Sequence, residues 1–464
     1  MKTSVSEKVH FTQWFIWVEC ALVLALALVK LRIVNDDAFI TLRYAHNLIH
    51  GRGFVYNPGE HVLGLTNPLL ALLQAATSVA CLGNVLSANY LLQYLLLLGS
   101  VLLFARWLND RLVLAALIPL LFFNQQTVGY LGNEAVLLLF LSLLALNLLR
   151  SGRDKWFAFC LSLMYLARFD AVIFGAVATV WWLHLRRPWS PRKLAAHFMI
   201  WGSLPVAWHT FSFAYYGAFL SNSVTSELLG FAYGKPYISA LWERYLSPLT
   251  APWALFQSGV IVAGLLAYWR QLRIYCVWFL CFATVYWAIG AQGIKPWYFH
   301  TFTFVVIMAM AGGLALVGRR LFGDAPAAHL FAAFVSLTFV LGQMNDSWER
   351  QRYELYRKVA DEVQRIGDAG APLEMNEIGI LGYYLMEHPV LDQHFLVTAQ
   401  GKGPTRFPPV ALLRQERKPQ FLLINPYREF TEPELRQYEG YHPLGAMRSP
   451  NNEHRLYIFR RSTE

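Results

Sequence analysis

Long apolar runs alternate with short polar turns over most of the chain, near residues 13–33, 66–82, 87–105, 111–123, 134–150, 156–167, 170–185, 195–216, 250–269, 274–290, 298–317 and 326–343. The runs near 111–123 and 156–167 are shorter than the ~20 residues a helix needs to cross a bilayer. From about Met344 the pattern changes: charge rises and the long apolar runs stop. Leu355, Val359, Val363 and Ile366 then repeat at helical spacing, and Gly367 follows as a stop signal. The compact runs Phe421-Leu422-Leu423-Ile424 and Leu456-Tyr457-Ile458-Phe459 read as strands. The pattern therefore predicts an all-α polytopic membrane bundle over 1–343, with roughly 11 transmembrane helices. A small α/β domain follows over 344–464. We find no internal repeat.

Composition agrees. Of 464 residues, 56% are apolar and 15% charged, against about 25% charged in soluble domains. Mean hydropathy is +0.37. The 16 Trp and 23 Tyr suit rings gathered at membrane interfaces. The run Phe15 to Leu31 is too long for a signal-peptide core and no small-residue cleavage site follows, so it reads as a retained first helix. The net charge of +10 would permit nucleic-acid binding, but the basic residues fall in short clusters between apolar runs, as in cytoplasmic turns, and no nucleic-acid partner is expected. Cys20, Cys81, Cys160, Cys276 and Cys281 are scattered through apolar segments without metal-ligand spacing and read as small buried hydrophobes.

The basic clusters predict a topology. Arg106 with Arg111, Arg153 with Lys155, Arg186 to Lys193, Arg270 with Arg273, and Arg319 with Arg320 mark five cytoplasmic turns. Asn124 to Glu134, the Arg168-Phe169-Asp170 turn, 217–249, Gln292 to His300 and the C-terminal domain then face outward. Parity is kept if the run at 66–82 does not fully cross. Membrane lipids surround such a chain, and its polar segments are expected to form one extracytoplasmic site.

The candidate chemistry starts at Asp36 and Asp37, adjacent carboxylates just beyond the first apolar run. One acid suffices to cap the following helical pattern, Phe39, Leu42, Ala45 and Leu48 or Ile49, so a pair suggests a catalytic base, a metal ligand, or both. Outward-facing Arg43, Arg168, Lys295 and His300 are cations able to stabilise a departing phosphate, with interfacial snorkelling as the plain alternative for Lys295 and His300. Glu134 and Asp170 lie at helix mouths, where acids have partners or functions; Arg168 and Asp170 equally suit a structural ion pair at a hairpin tip. Glu19, inside the first helix, reads as structural. Gly51, Gly53, Pro58 and Gly59 read as turn residues without phosphate-loop spacing.

The stretch NDDAFITLRYAHNLIHGRGFVYNPGEHVLGLTNPLLALL, from Asn35, resembles the first-loop signature of bacterial GT-C glycosyltransferases, nearest their arabinofuranosyltransferase group. GNEAVLLLFLSLLAL at 132–146 is similar to a Gly-Met-Glu motif, with Asn133 in place of Met. LARFDA at 166–171 is similar to an Arg-Pro-Asp-Gly turn, with Phe169 and Ala171 departing. YYGAFLSNSVTSE at 215–227 and NEIGILGYYLMEHPVLDQHFLV at 376–397 are looser matches, the last to the start of an extracytoplasmic C-terminal domain. The resemblance implies a GT-C-like fold and transfer of a sugar, by resemblance arabinofuranose, from a polyprenyl-phosphate donor to an extracytoplasmic glycan or pilin-like protein. It implies Asp36 and Asp37 as catalytic residues. Arg43, Glu134, Arg168, Asp170, Lys295 and His300 become substrate-binding residues, with Arg43 and Arg168 set to hold the carrier phosphate. A divalent cation, Mg or Mn, on Asp36 and Asp37 is the one cofactor considered.

Two other classes share some of these features. A non-catalytic membrane assembly factor would use the same scaffold. A secondary transporter would also carry intramembrane charge, but would show repeated halves with matching broken helices.

Overall fold

The computed structural model describes every residue except 1, 31–34, 109, 124–130, 189, 229–235, 244–251, 291–295, 344–346, 399–409, 426–437, 439, 451–453 and 463–464. In chain order the helices are α1 Lys2–Lys30, α2 Asp36–Ile49, α3 Pro68–Ala80, α4 Val85–Leu108, α5 Arg111–Phe123, α6 Ala135–Arg150, α7 Asp154–Ala167, α8 Val172–Leu185, α9 Pro191–Tyr216, α10 Asn222–Leu228, α11 Tyr237–Leu241, α12 Pro252–Ala267, α13 Trp269–Ala288, α14 His300–Phe322, α15 Pro326–Gln343, α16 Ser347–Ile366, α17 Ile380–Tyr384 and α18 Val410–Arg417. The strands are β1 Leu373–Met375, β2 Val390–Asp392, β3 Phe421–Ile424, β4 Tyr441–Arg448 and β5 Arg455–Arg461. Two compact units divide the chain: residues 1–32, 93–207 and 226–345 form the first, and 33–92, 208–225 and 346–464 form the second.

The first unit is a helix bundle. Among the described residues of the whole chain, α4, α13 and α14 are long and apolar enough to cross a membrane, and seven further apolar helices are shorter. The described residues thus bear out three clear spans and leave the expected count of roughly eleven unconfirmed. The bundle centres on α14, which packs against α5, α12, α13 and α15. Its run from Ile307 to Ala315 is buried and rich in Ala and Gly. Lipid tails are as apolar as leucine, so close backbone approach, not oil-from-water transfer, holds such helices together. Here the approach is extreme. A Cβ added at Gly264 would lie 1.8 Å from the Ala309 carbonyl oxygen, and one at Gly313 would lie 2.0 Å from that of Val260. The short α5 is buried on every side from Leu112 to Phe123, as expected of a helix that is apolar all round.

The second unit gathers the first loop and the C-terminal part into one core. With 13 residues, α3 is too short to cross a bilayer alone, and it packs on α2 here. In α16 Leu355, Val359 and Val363 are buried, the stripe its sequence predicted. The expected strands are β3 and β5, paired antiparallel. The sheet order is β2-β1-β3-β5-β4, with β1 parallel to both β2 and β3 and β4 antiparallel to β5. Strands β1, β2 and β4 were not predicted. The first two have three residues each, and β4 is largely exposed and broken by a bulge between Pro443 and Gly445. Gly51, Gly53 and Gly59 adopt positive φ, as turn residues do. All five cysteines are free thiols.

Candidate active site

The acid pair opens α2, but neither acid caps it. The cap is Asn35, whose Oδ1 accepts the Asp37 N–H at 3.0 Å. Asp36 has a structural task that was not legible in its own neighbourhood: its buried carboxylate accepts the backbone N–H of Gly379 at 3.0 Å and of Ile380 at 2.8 Å. Only glycine fits at 379, because a Cβ would lie 1.9 Å from the Asp36 carbonyl oxygen. Asp37 is half-buried on the same turn. Arg352 on α16 is a basic neighbour of Asp36 that sequence reasoning missed. Burial pulls its pKa down, while Glu349, at 2.6 Å, with Asp36 and Glu377, pushes it up further, so it stays charged. Its only advance signal was a cation on an otherwise amphipathic helix.

Arg43, two turns further along α2, is fully buried. Nε donates to the Tyr56 carbonyl at 2.9 Å, Nη1 to those of Gly382 and Leu385, and Nη2 to Asn57 Oδ1 and the His388 carbonyl. The Tyr56 ring lies 4.3 Å beneath the guanidinium. Five N–H groups meet five protein acceptors, so the phosphate contact expected of Arg43 has no donor left in this structure. Burial lowers its pKa from the usual arginine range, and Tyr56 partly restores it. Asp36 and Arg43 thus tie the stretch that opens at Asn35 to the stretch 376–397, two segments that carried the family resemblance.

In the first unit the structure brings together Glu134, Arg168 and Asp170. Arg168 follows α7, Asp170 lies in the 3₁₀ turn Phe169–Ala171 before α8, and Glu134 immediately precedes α6. Arg168 Nε donates to both Asp170 oxygens at 2.8 Å, and Nη1 to Glu134 Oε1 at 2.6 Å. The Tyr286 hydroxyl donates to Asp170 Oδ2 at 2.6 Å, and the Tyr298 ring lies 4.3 Å from the guanidinium. Among the described residues one guanidinium faces two carboxylates, so little of its charge is left to grip a phosphate. Carboxylates, a guanidinium edge and an aromatic face do suit the hydroxyls and ring of a sugar. Tyr286 and Tyr298 were missed, because tyrosines in an aromatic-rich apolar run look like interface or core.

The remaining candidates separate. His300 opens α14 at 1% exposure, ringed by Trp278, Phe282 and Phe304, which is a core position rather than a ligand-facing one. Lys295 lies outside the described residues. No three His, Cys, Asp or Glu side chains converge as a metal site among the described residues. Both oxygens of Asp36 already accept backbone N–H groups, so the pair does not present itself as the two open carboxylates that Mg or Mn would use beside substrate oxygens. Glu19 is buried, and neither of its oxygens has a hydrogen-bond partner among the described residues; the structural partner expected for it is not found there.

Bundle, small mixed sheet and buried charge cluster together define a helical membrane protein with an α/β layer. The same fold occurs in ArnT from Cupriavidus metallidurans. Its crystal structure bound to undecaprenyl phosphate matches with a TM-score of 0.64 at 15% identity, over 96% of this chain and 98% of that one. ArnT in the apo state matches with a TM-score of 0.63 at 14% identity, over 96% and 97%. At that identity the likeness is one of fold. No protein-family model and no curated protein matches the sequence.

Proposed function

We propose that the protein is a membrane glycosyltransferase that moves a sugar from a polyprenyl-phosphate carrier to an acceptor outside the cytoplasmic membrane. The observation that carries this reading is the fold match along 96% of the chain to a protein crystallised with undecaprenyl phosphate. The first-loop resemblance from Asn35 onward supports it independently and points to arabinofuranose as the sugar, with a glycan or pilin-like protein as acceptor. Asp37, half-buried at the start of α2, is the base that takes the acceptor hydroxyl proton, a role worth roughly 10²–10⁴ in rate. Asp36 fixes the turn that carries it. Arg352 supplies positive charge beside the acids, the part first sought in Arg43. Glu134, Arg168 and Asp170, with Tyr286 and Tyr298, bind sugar hydroxyls. Lys295 keeps its proposed phosphate contact.

The test is to give the purified full chain a polyprenyl-phosphoryl arabinofuranose together with a cell-envelope glycan acceptor, and to follow both release of the polyprenyl phosphate and gain of the sugar by the acceptor, by mass spectrometry. Wild type should release it. Asp37→Asn should abolish release at unchanged thermal stability. Asp36→Asn should lower stability by about 1–2 kcal/mol, because an amide has one acceptor oxygen for two backbone donors. Undiminished release by Asp37→Asn would remove the assigned base. Carrier binding without any release would move the protein to the assembly-factor class.

A further inference from the structure

We infer that the first unit holds a second ligand site, for the headgroup of an anionic phospholipid, at the ends of α6 and α8 remote from the Arg168 cluster. A cavity of about 280 Å³ opens there, lined by Trp107, Leu146, Leu149, Arg150, Trp181, Leu185, Arg270, Gln271 and Ile274. That is many times the ~30 Å³ share of one liquid water and close to the lower bound of small-ligand sites. Among the described residues both titratable lining residues are arginines, and no carboxylate lines the cavity. The Trp107 Nε1–H is buried without a hydrogen-bond partner among the described residues. Beside the cavity Arg273 lies 4.2 Å over the Trp181 ring, and its Nε–H is likewise buried and unmet. The site offers donors and few acceptors.

Exposed helix-end carbonyls would repel an anion. Two of those nearest the cavity are already covered: Arg150 donates to the Trp107 carbonyl at 3.1 Å and Arg186 to that of Leu149 at 2.6 Å. Arg186 is also paired with Asp154 at 3.0 Å, so it is not counted among the ligand's cations. Behind the arginines the wall is apolar, made of Leu146, Leu149, Leu185 and Ile274 with the two tryptophans. A free phosphate would leave that wall unfilled. A phospholipid places its phosphate on Arg150 and Arg270 and its glycerol and first acyl carbons against the wall. Helix geometry agrees, because α4 and α13 are long enough to span and the cavity takes residues from one end of each, where headgroups lie.

The site is separate from the proposed donor site. Glu134 immediately precedes α6 and Arg150 ends it, while Asp170 precedes α8 and Leu185 ends it. At 1.5 Å per residue the two places are roughly 20 Å apart along the same helices. The inference therefore does not depend on the proposed transferase activity.

It is tested by native mass spectrometry of the full chain released from nanodiscs of mixed phosphatidylglycerol and phosphatidylcholine. Wild type should retain phosphatidylglycerol at least about fivefold more than the double variant Arg150→Gln/Arg270→Gln, each change costing one guanidinium contact to phosphate. Filling the cavity without altering charge, by Ile274→Trp, should lower retention as well, and serves if the double variant does not fold. Equal retention by wild type and either folded variant overturns the site. So does equal retention of phosphatidylcholine. Displacement of the lipid by millimolar inorganic phosphate would make it a free-anion site and overturn the lipid assignment.

Discussion

Two arginines close in sequence to candidate acids are buried in opposite ways. Arg43 meets backbone carbonyls, one asparagine and a tyrosine ring. Arg168 meets two carboxylates and stands beside two tyrosines. The first arrangement spends every donor on the protein itself, three of the five acceptors lying more than three hundred residues away in sequence, so it organises a fold. The second uses charge against charge and keeps N–H groups on both terminal nitrogens for further contacts, so it suits a ligand. Residue type and burial alone do not separate the two; the partners do.

The largest expected effect comes from Arg43. Arg43→Met should lower stability by roughly 3–5 kcal/mol, because it strips a buried charged donor from five acceptors at once, among them the Gly382 and His388 carbonyls. Thermal unfolding in detergent checks this. A variant that unfolds like wild type but no longer binds a polyprenyl phosphate would reverse the comparison and return Arg43 to the ligand. Next is Arg168→Lys, which keeps the charge but loses the planar fork that spans Glu134 and Asp170. Transfer should fall by roughly 10²-fold, as for loss of one preorganised donor, while folding is kept. Full turnover would make the Glu134–Arg168–Asp170 group a structural clasp. The smallest effect concerns pH near Arg43. Burial first, then the stacked His50, Arg52 and Arg43, hold the His46 pKa down at about 4. The unfolded chain takes up a proton near the usual histidine pKa of 6.5 and the folded chain does not. Stability attributable to His46 is therefore complete above 6.5 and drains away as pH falls from there to 4. The site is about half exposed to solvent, so the loss should stay below about 1 kcal/mol. His46→Gln should flatten unfolding curves across that window, and an unchanged slope would mean that the fold does not hold His46 below its usual pKa.

Much of this could be read before any coordinates. The stripe Leu355, Val359, Val363 and the runs 421–424 and 456–459 announced α16, β3 and β5, because buried faces leave a periodic mark. Glu134, Arg168 and Asp170 could be grouped because basic clusters sorted the loops into two sets. What stayed hidden has one cause. The donors to Asp36 and most acceptors of Arg43 are main-chain atoms at 378–388, and a main-chain atom writes nothing into the sequence. Tyr286 and Tyr298 were hidden differently, as two rings among 23 tyrosines. Strand β4, exposed and interrupted at Pro443, lacks the alternation that would have revealed it.

The seam between α12 and α14 sets an order of events in the cell. Because Gly264 and Gly313 leave no room for a single methyl, the two helices dock backbone to backbone or not at all. Yet α12 leaves the ribosome before α13 and α14 exist. Its bare face must wait, against lipid or a chaperone of the insertion machinery, until the later helix arrives. A delay in translation between the two would lengthen that exposure, so the codons between Ala267 and His300 are where synthesis speed and yield of this protein should be most tightly linked.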